Sequence, residues 1–158
     1  MPNRRFDAID RRILEQLQRA GRMTNLELAE KVGVSPTPCL RRVRQLESDG
    51  VIKGYAARLD RERVGLGLTV FIAVRLTSHT ESVKAFRRAV SGMAEVTACY
   101  VTSGEHDFLL HVLVSDLAEY RRFLLDRLIK LPEVRDINSS FVIDTVKEDA
   151  PIPLDHLK

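Results

Sequence analysis

The run Ser35-Pro36-Thr37-Pro38-Cys39-Leu40-Arg41-Arg42-Val43-Arg44 holds three arginines and two hydroxyls, with no acid before Glu47. Guanidinium groups grip phosphates, or the O6 and N7 edge of guanine, with two parallel hydrogen bonds. Thr37, Pro38, Arg41 and Arg42 are the candidates nearest the bases. Ser35, Thr37, Arg44 and the downstream Lys53 are candidates for phosphates, and Asn25 joins the set from upstream. A second group, Ser103-Gly104-Glu105-His106-Asp107, places a histidine between two carboxylates, as a general acid–base pair would require. Catalysis finds little further support. The chain has no nucleophile elbow, phosphate loop, metal-ligand spacing or cofactor fingerprint. Neighbours along a strand also point to opposite faces. His79, His111 and His156 are scattered as loop, strand and tail residues, and Cys39 and Cys99 read as core. The expectation is a protein that is not an enzyme and needs neither cofactor nor metal.

The elements that must carry these residues are punctuated clearly. Phe6, Ile9, Ile13, Leu14 and Leu17 recur at helical spacing, which predicts a first helix over residues 7–20 ended by Gly21. Thr24 and Glu27 form a capping box for a second helix, whose apolar positions are Leu26, Leu28, Ala29 and Val32. Gly33 and Val34 make a tight turn. Ser35 is a natural N-cap and Pro36 a natural first helical residue, so a third helix follows, with Cys39, Leu40, Val43 and Leu46 on one face. Residues 51–59 alternate loosely and predict a short strand pair, or wing. Three short helices with a glycine turn before the third fit a helix-turn-helix.

Beyond residue 60 the pattern changes. A charged stretch closing on Gly65 and Gly67 reads as a linker. Strands are predicted over 68–76, 96–102, 107–114 and 134–146, with helices over 80–92 and 116–131. The second helix should turn Leu117, Tyr120, Leu124 and Leu128 inward. This βαββαβ order stacks two helices on one face of a four-stranded antiparallel sheet. The other face would lie bare in a monomer, so a homodimer made by packing sheet on sheet is expected. A symmetric dimer carries two recognition helices and fits palindromic sites with half-sites one helical turn or a multiple apart.

Composition supports this division. The 158 residues are 44% hydrophobic and 30% charged, the balance of a folded protein, with a net charge of +3. Residues 1–67 hold 14 Lys and Arg against 9 Asp and Glu, whereas residues 68–158 hold 11 against 13. The basic half suits a polyanion. No apolar stretch approaches the ~20 residues of a membrane helix, and the charged start is not a signal core. The expected location is cytoplasmic, on the nucleoid, with no membrane partner.

Residues 35–44, followed by Leu46, Glu47, Gly50, Ile52, Gly54 and Tyr55, resemble the helix-turn-helix signature of the Lrp/AsnC (feast/famine) transcriptional regulators. Ile9, Asp10, Ile13, Leu14 and the Gly21-Arg22 turn are similar to that family's first helix, and the βαββαβ half to its domain for the regulation of amino-acid metabolism. The resemblance implies an α+β chain: a winged helix-turn-helix over 1–60, a linker over 61–67, a ferredoxin-like effector and oligomerisation domain over 68–146, and a packed C-terminal extension over 147–158. It implies dimers that assemble into tetramers or octamers on double-stranded DNA. It also implies an amino-acid effector, such as leucine, bound near the turn between the second and third strands. The effector set is then Ser103, Gly104, Glu105, His106 and Asp107, with Phe141, Val142 and Ile143 from the last strand. Asp107 or Glu105 would take the ammonium and backbone N–H groups around Gly104 the carboxylate. Two other roles share the DNA-binding half: an architectural protein that ignores amino acids, and an antitoxin or scaffold, for which no partner segment stands out.

Overall fold

Asp7 starts the first helix by accepting hydrogen bonds from the backbone N–H groups of Ile9 (3.0 Å) and Asp10 (2.8 Å). In the computed structural model, which describes residues 6–77 and 80–157, this helix (α1) spans Ala8–Arg19. The sequence readings of Met1–Arg5, His79 and Lys158 lie outside the described residues. The capping box forms: the Thr24 hydroxyl accepts from Glu27 N–H, and the Glu27 carboxylate accepts from Thr24 N–H at 2.8 Å. It opens α2, Asn25–Val32. Gly33 closes α2 at φ 74°, a conformation that costs glycine nothing, and α3 follows at Pro36–Ser48. Ile13, Leu28, Ala29, Val32, Cys39 and Leu46 form the buried core among the three helices.

Three expectations change here. Leu26 is 68% exposed and Leu40 37%, so neither belongs to the core. Residues 51–59 form no strand and are exposed beyond Ile52. A strand needs a partner for its backbone groups; Val51 and Ile52 N–H turn back to Leu46 C=O, and among the described residues no backbone partner follows for residues 53–59. Gly21 does follow α1, but not by adopting a left-handed conformation. A Cβ there would meet the Tyr55 ring at 3.3 Å, so glycine lets that ring lie closer than a side chain would without a small shift.

The first unit comprises residues 1–58 together with 147–158. Gln18 binds the returning tail with both halves of its amide: Oε1 accepts from Ile152 N–H at 2.6 Å, and Nε2 donates to Ile152 C=O at 3.2 Å. Leu154 and Leu157 then pack on the three-helix core. Arg58 donates to the Asp149 carbonyl at 2.9 Å, where the chain leaves the unit and returns.

The second unit spans residues 59–146. Its opening stretch, expected as a linker, folds instead into a hydrogen-bonded turn, with Leu66 N–H on Arg61 C=O at 2.8 Å. β1 (Leu68–Leu76), α4 (Thr80–Ser91), β2 (Val96–Val101), β3 (Phe108–Val114), α5 (Leu117–Phe123) and β4 (Val134–Phe141) follow. The sheet order is β2-β3-β1-β4, every neighbouring pair antiparallel. Alternation fixes its faces. Val70, Ile72, Val74, Phe108, Leu110 and Val112 are buried under the helices with Phe86, Tyr120, Phe123 and Leu128. The opposite face shows Phe71 and Tyr100, 38% and 57% exposed, beside half-buried Ala73, Leu109, His111 and Leu113.

Leu117, expected inward, is 63% exposed, and Phe123 is buried. Beyond Phe123 the helix widens into a π-helical turn over Leu124–Leu128, closed by Ile129 N–H on Leu124 C=O at 3.0 Å. Leu117 is exposed at the first position of the helix, Phe123 joins Tyr120 at ordinary i,i+3 spacing, and Leu124 and Leu128 pack inward as expected despite the wider turn. β4 stops at Phe141, five residues short of the expected end, and leaves Ile143 and Val146 100% and 95% exposed.

Candidate functional site

The third helix of the first unit presents Thr37, Arg41 and Arg44 to solvent, with Pro38 half-buried beside them. Among the described residues neither arginine has a carboxylate partner. Ser35 stands at the N-cap of α3 but makes no capping bond with its hydroxyl, which leaves that oxygen for another ligand. Lys53, four residues after Asp49, is also exposed.

Arg42 is a correction. Its Nη1 donates to Asp7 Oδ2 at 2.7 Å and to Asp10 Oδ1 at 2.9 Å. Asp10 is 3% exposed, and a buried carboxylate needs a cation and hydrogen bonds to remain charged. Arg42 therefore binds α3 to α1 and is spent inside the unit. Asn25 is likewise a brace: its Nδ2 donates to the Pro36 carbonyl at 2.9 Å, tying the start of α2 to the start of α3. Its Oδ1 is buried with no partner among the described residues, so the amide faces inward.

In the second unit the turn after β2 is held from both sides. Thr102 N–H donates to Asp107 C=O at 3.0 Å, and the Thr102 hydroxyl to His106 C=O at 2.7 Å. Asp107 N–H reaches back to Val74 C=O at 2.9 Å, and Asp107 Oδ2 accepts from Leu76 N–H at 2.7 Å. Gly104 sits at φ 126°, where a side chain would be strained. Among the described residues, no acceptor meets the backbone N–H groups of Ser103, Gly104, Glu105 and His106. One oxygen of Asp107 is also unengaged. An acceptor and a row of donors therefore lie on one exposed turn.

Arg75 completes this arrangement and escaped the sequence reading. Its Nε donates to Glu105 C=O and its Nη2 to Glu105 Oε1, each at 2.9 Å. The available signal was a lone cation in the otherwise uncharged strand Leu-Thr-Val-Phe-Ile-Ala-Val-Arg-Leu. Phe141, Val142 and Ile143 are not brought to the turn. Phe141 pairs with Val70, whereas the turn begins beside Val74. Four residues of strand, about 13 Å, separate them. Phe141 also faces the helices, its ring edge-on to Tyr120 at 5.0 Å. Only Val142 N–H, bonded to Thr69 C=O at 3.0 Å, extends the ladder.

On the bare sheet face the His111 ring lies 4.9 Å from Phe71, and its Nδ1 lies 2.6 Å from the Thr97 hydroxyl. Burial pushes its pKa below the ordinary imidazole value, with Arg61 adding to the shift.

A three-helix DNA-binding head joined to a ligand-binding sheet domain defines a transcription regulator. Residues 6–53 match the family described as winged helix-turn-helix DNA-binding, and residues 69–152 the Lrp/AsnC ligand binding domain. The chain is 42% identical to the leucine-responsive regulatory protein of Haemophilus influenzae over 147 residues, covering 92% of this chain and 89% of that one. It is 41% identical to the leucine-responsive regulatory protein of Escherichia coli K12, covering 93% and 90%. Among solved structures, a Neisseria meningitidis transcriptional regulator in complex with L-methionine superposes with a TM-score of 0.95 at 41% identity, over 97% of this chain and 99% of that one. An AsnC family regulator from Agrobacterium tumefaciens gives 0.91 at 40% identity, over 97% and 100%. The chain belongs to the Lrp/AsnC family of transcriptional regulators. It is a DNA-binding regulator and not an enzyme, and His106 has no catalytic role to fill. Among the described residues, no helix is long and apolar enough to cross a membrane.

Proposed function

We propose that this regulator binds DNA as a homodimer or a higher assembly of dimers, and that an amino acid held at the 103–107 turn changes that binding. The observation that carries the effector is the turn itself: unpartnered N–H groups for a carboxylate, and an open Asp107 oxygen for an ammonium. The methionine complex of the Neisseria relative supports the ligand class. The bare sheet face supports dimerisation, since an apolar patch of that kind marks an association surface. Assembly of dimers into tetramers or octamers would bring the Phe141 end of one sheet to the turn of another, which a single copy does not do. Such a protein works on the nucleoid.

On the DNA, α3 enters the major groove. Thr37, Pro38 and Arg41 lie toward the bases, and Ser35, Arg44 and Lys53 toward phosphates. The effector acts by binding one assembly more tightly than another, which changes the spacing of the heads.

A thermal-shift panel of the twenty amino acids tests the reading. A selective ligand raises Tm by mass action, and a flat panel rejects the effector. An architectural protein would give that flat panel and show little sequence preference on DNA. Arg41→Ala should weaken the specific complex by about 1–3 kcal/mol and relax specificity at one base position. Equal loss on specific and random DNA, with a shallower salt dependence, would place Arg41 on phosphate instead.

A further inference from the structure

Arg75 lies next to the turn proposed to hold the effector, and its present partner belongs to the same chain. The guanidinium binds Glu105 twice, through the main-chain oxygen and through the carboxylate, both at 2.9 Å. The Glu105 side chain is 78% exposed, and the pair with Arg75 is its only ion pair among the described residues. Nothing packs the carboxylate in place. Arg75 itself is 31% exposed and anchored through Nε, and its Nη1 has no partner among the described residues. One planar cation thus keeps an open edge beside four unpartnered N–H groups, while a loosely held internal carboxylate takes its other edge.

We propose that Arg75 is the clamp for the effector's α-carboxylate, and that Glu105 is an internal competitor which the effector displaces. The proposal rests on the reading that an amino acid binds this turn, and it names what selects that amino acid. A guanidinium receives a carboxylate through two parallel hydrogen bonds, a geometry that a neutral amide cannot match in strength. An exposed ion pair such as Arg75–Glu105 is weak, so an incoming carboxylate breaks it readily. The Nε contact to the Glu105 carbonyl keeps the guanidinium oriented while the carboxylates exchange. Asp107, fixed by Leu76 N–H, supplies the ammonium acceptor on the same turn. Because Glu105 occupies the clamp part of the time, it lowers apparent affinity by the fraction of chains in which the clamp is closed. A glutamate is long enough to reach Arg75 from this position, and so desensitises the sensor.

Isothermal titration of the full-length protein with L-methionine, L-leucine and their carboxamides tests this. Glu105→Gln should bind the acids about three- to tenfold more tightly. Arg75→Gln should bind them about tenfold more weakly or worse, and should no longer distinguish acid from amide. The double variant should behave as Arg75→Gln. Unchanged or weaker binding by Glu105→Gln overturns the competitor role, as does an acid-over-amide preference that survives in Arg75→Gln. Glu105 is exposed, so its substitution tests the idea even where Arg75→Gln fails to fold. If wild type binds none of the twenty amino acids, the effector reading fails first and Arg75 is only a brace for the turn.

Discussion

Arg42→Ala lowers the stability of the DNA-binding unit by about 1–3 kcal/mol, because it removes the guanidinium shared by Asp7 and the buried Asp10 carboxylate. The loss is smaller than for a fully buried pair because the Arg42 side chain is 28% exposed. Arg41→Ala, one residue earlier on the same helix and with no carboxylate partner among the described residues, should stay within about 0.5 kcal/mol of wild type. Urea unfolding followed by helical circular dichroism separates the two, and a wild-type unfolding curve for Arg42→Ala would return Arg42 to the DNA surface. The same cluster responds to acid. The N–H of Asp10 holds the Asp7 carboxyl below its ordinary value, and the Arg42 guanidinium lowers it further. Its contribution is complete above the unfolded carboxylate value and is lost as pH falls through the lowered folded one.

Phe71→Asp should dissociate the protein to monomers at micromolar concentration. It places a charge on the bare sheet face, opposite His111 across the strand pair. Burying an unpaired carboxylate between two sheets is far more costly than leaving it in water. Operator affinity should fall about 10²–10⁴-fold, since two heads held together bind with an effective concentration that one head lacks. Sedimentation velocity gives the mass, and a dimer that survives the substitution would show that the copies meet elsewhere. The substitution touches no side chain of the helix-covered core, so the monomer should remain folded.

Much of this architecture is legible in the sequence because local chemistry fixes it. The Thr24–Glu27 box, the glycine after α2 and Pro36 at the head of α3 each act within a few residues, and each sits where its chemistry requires. The order of strands and helices follows from periodicity in the same way. What escaped depends on partners distant in sequence. A helical wheel puts Arg42 beside Arg41 and Arg44, but only the fold shows Asp7 and Asp10 waiting at the end of its reach. Arg75 reads as a stray charge until the turn folds against it. The wing needs a second strand, and β4 ends opposite Val70, although β1 begins two residues earlier in the chain, at Leu68. The widening after Phe123 has no sequence signature that a fixed period could detect.

The return of residues 147–158 to the first unit sets an order of events during synthesis. Chains emerge N-terminus first, at about 5–20 residues per second, and domains tend to fold as they appear. The three helices are made first, yet Leu154 and Leu157 reach their core only after the whole sheet domain has been translated. The reading head is thus begun before the sheet domain and completed after it. A chain cut before residue 147 would carry a DNA-binding unit that lacks Leu154 and Leu157 on its core and the Ile152 backbone partner of Gln18.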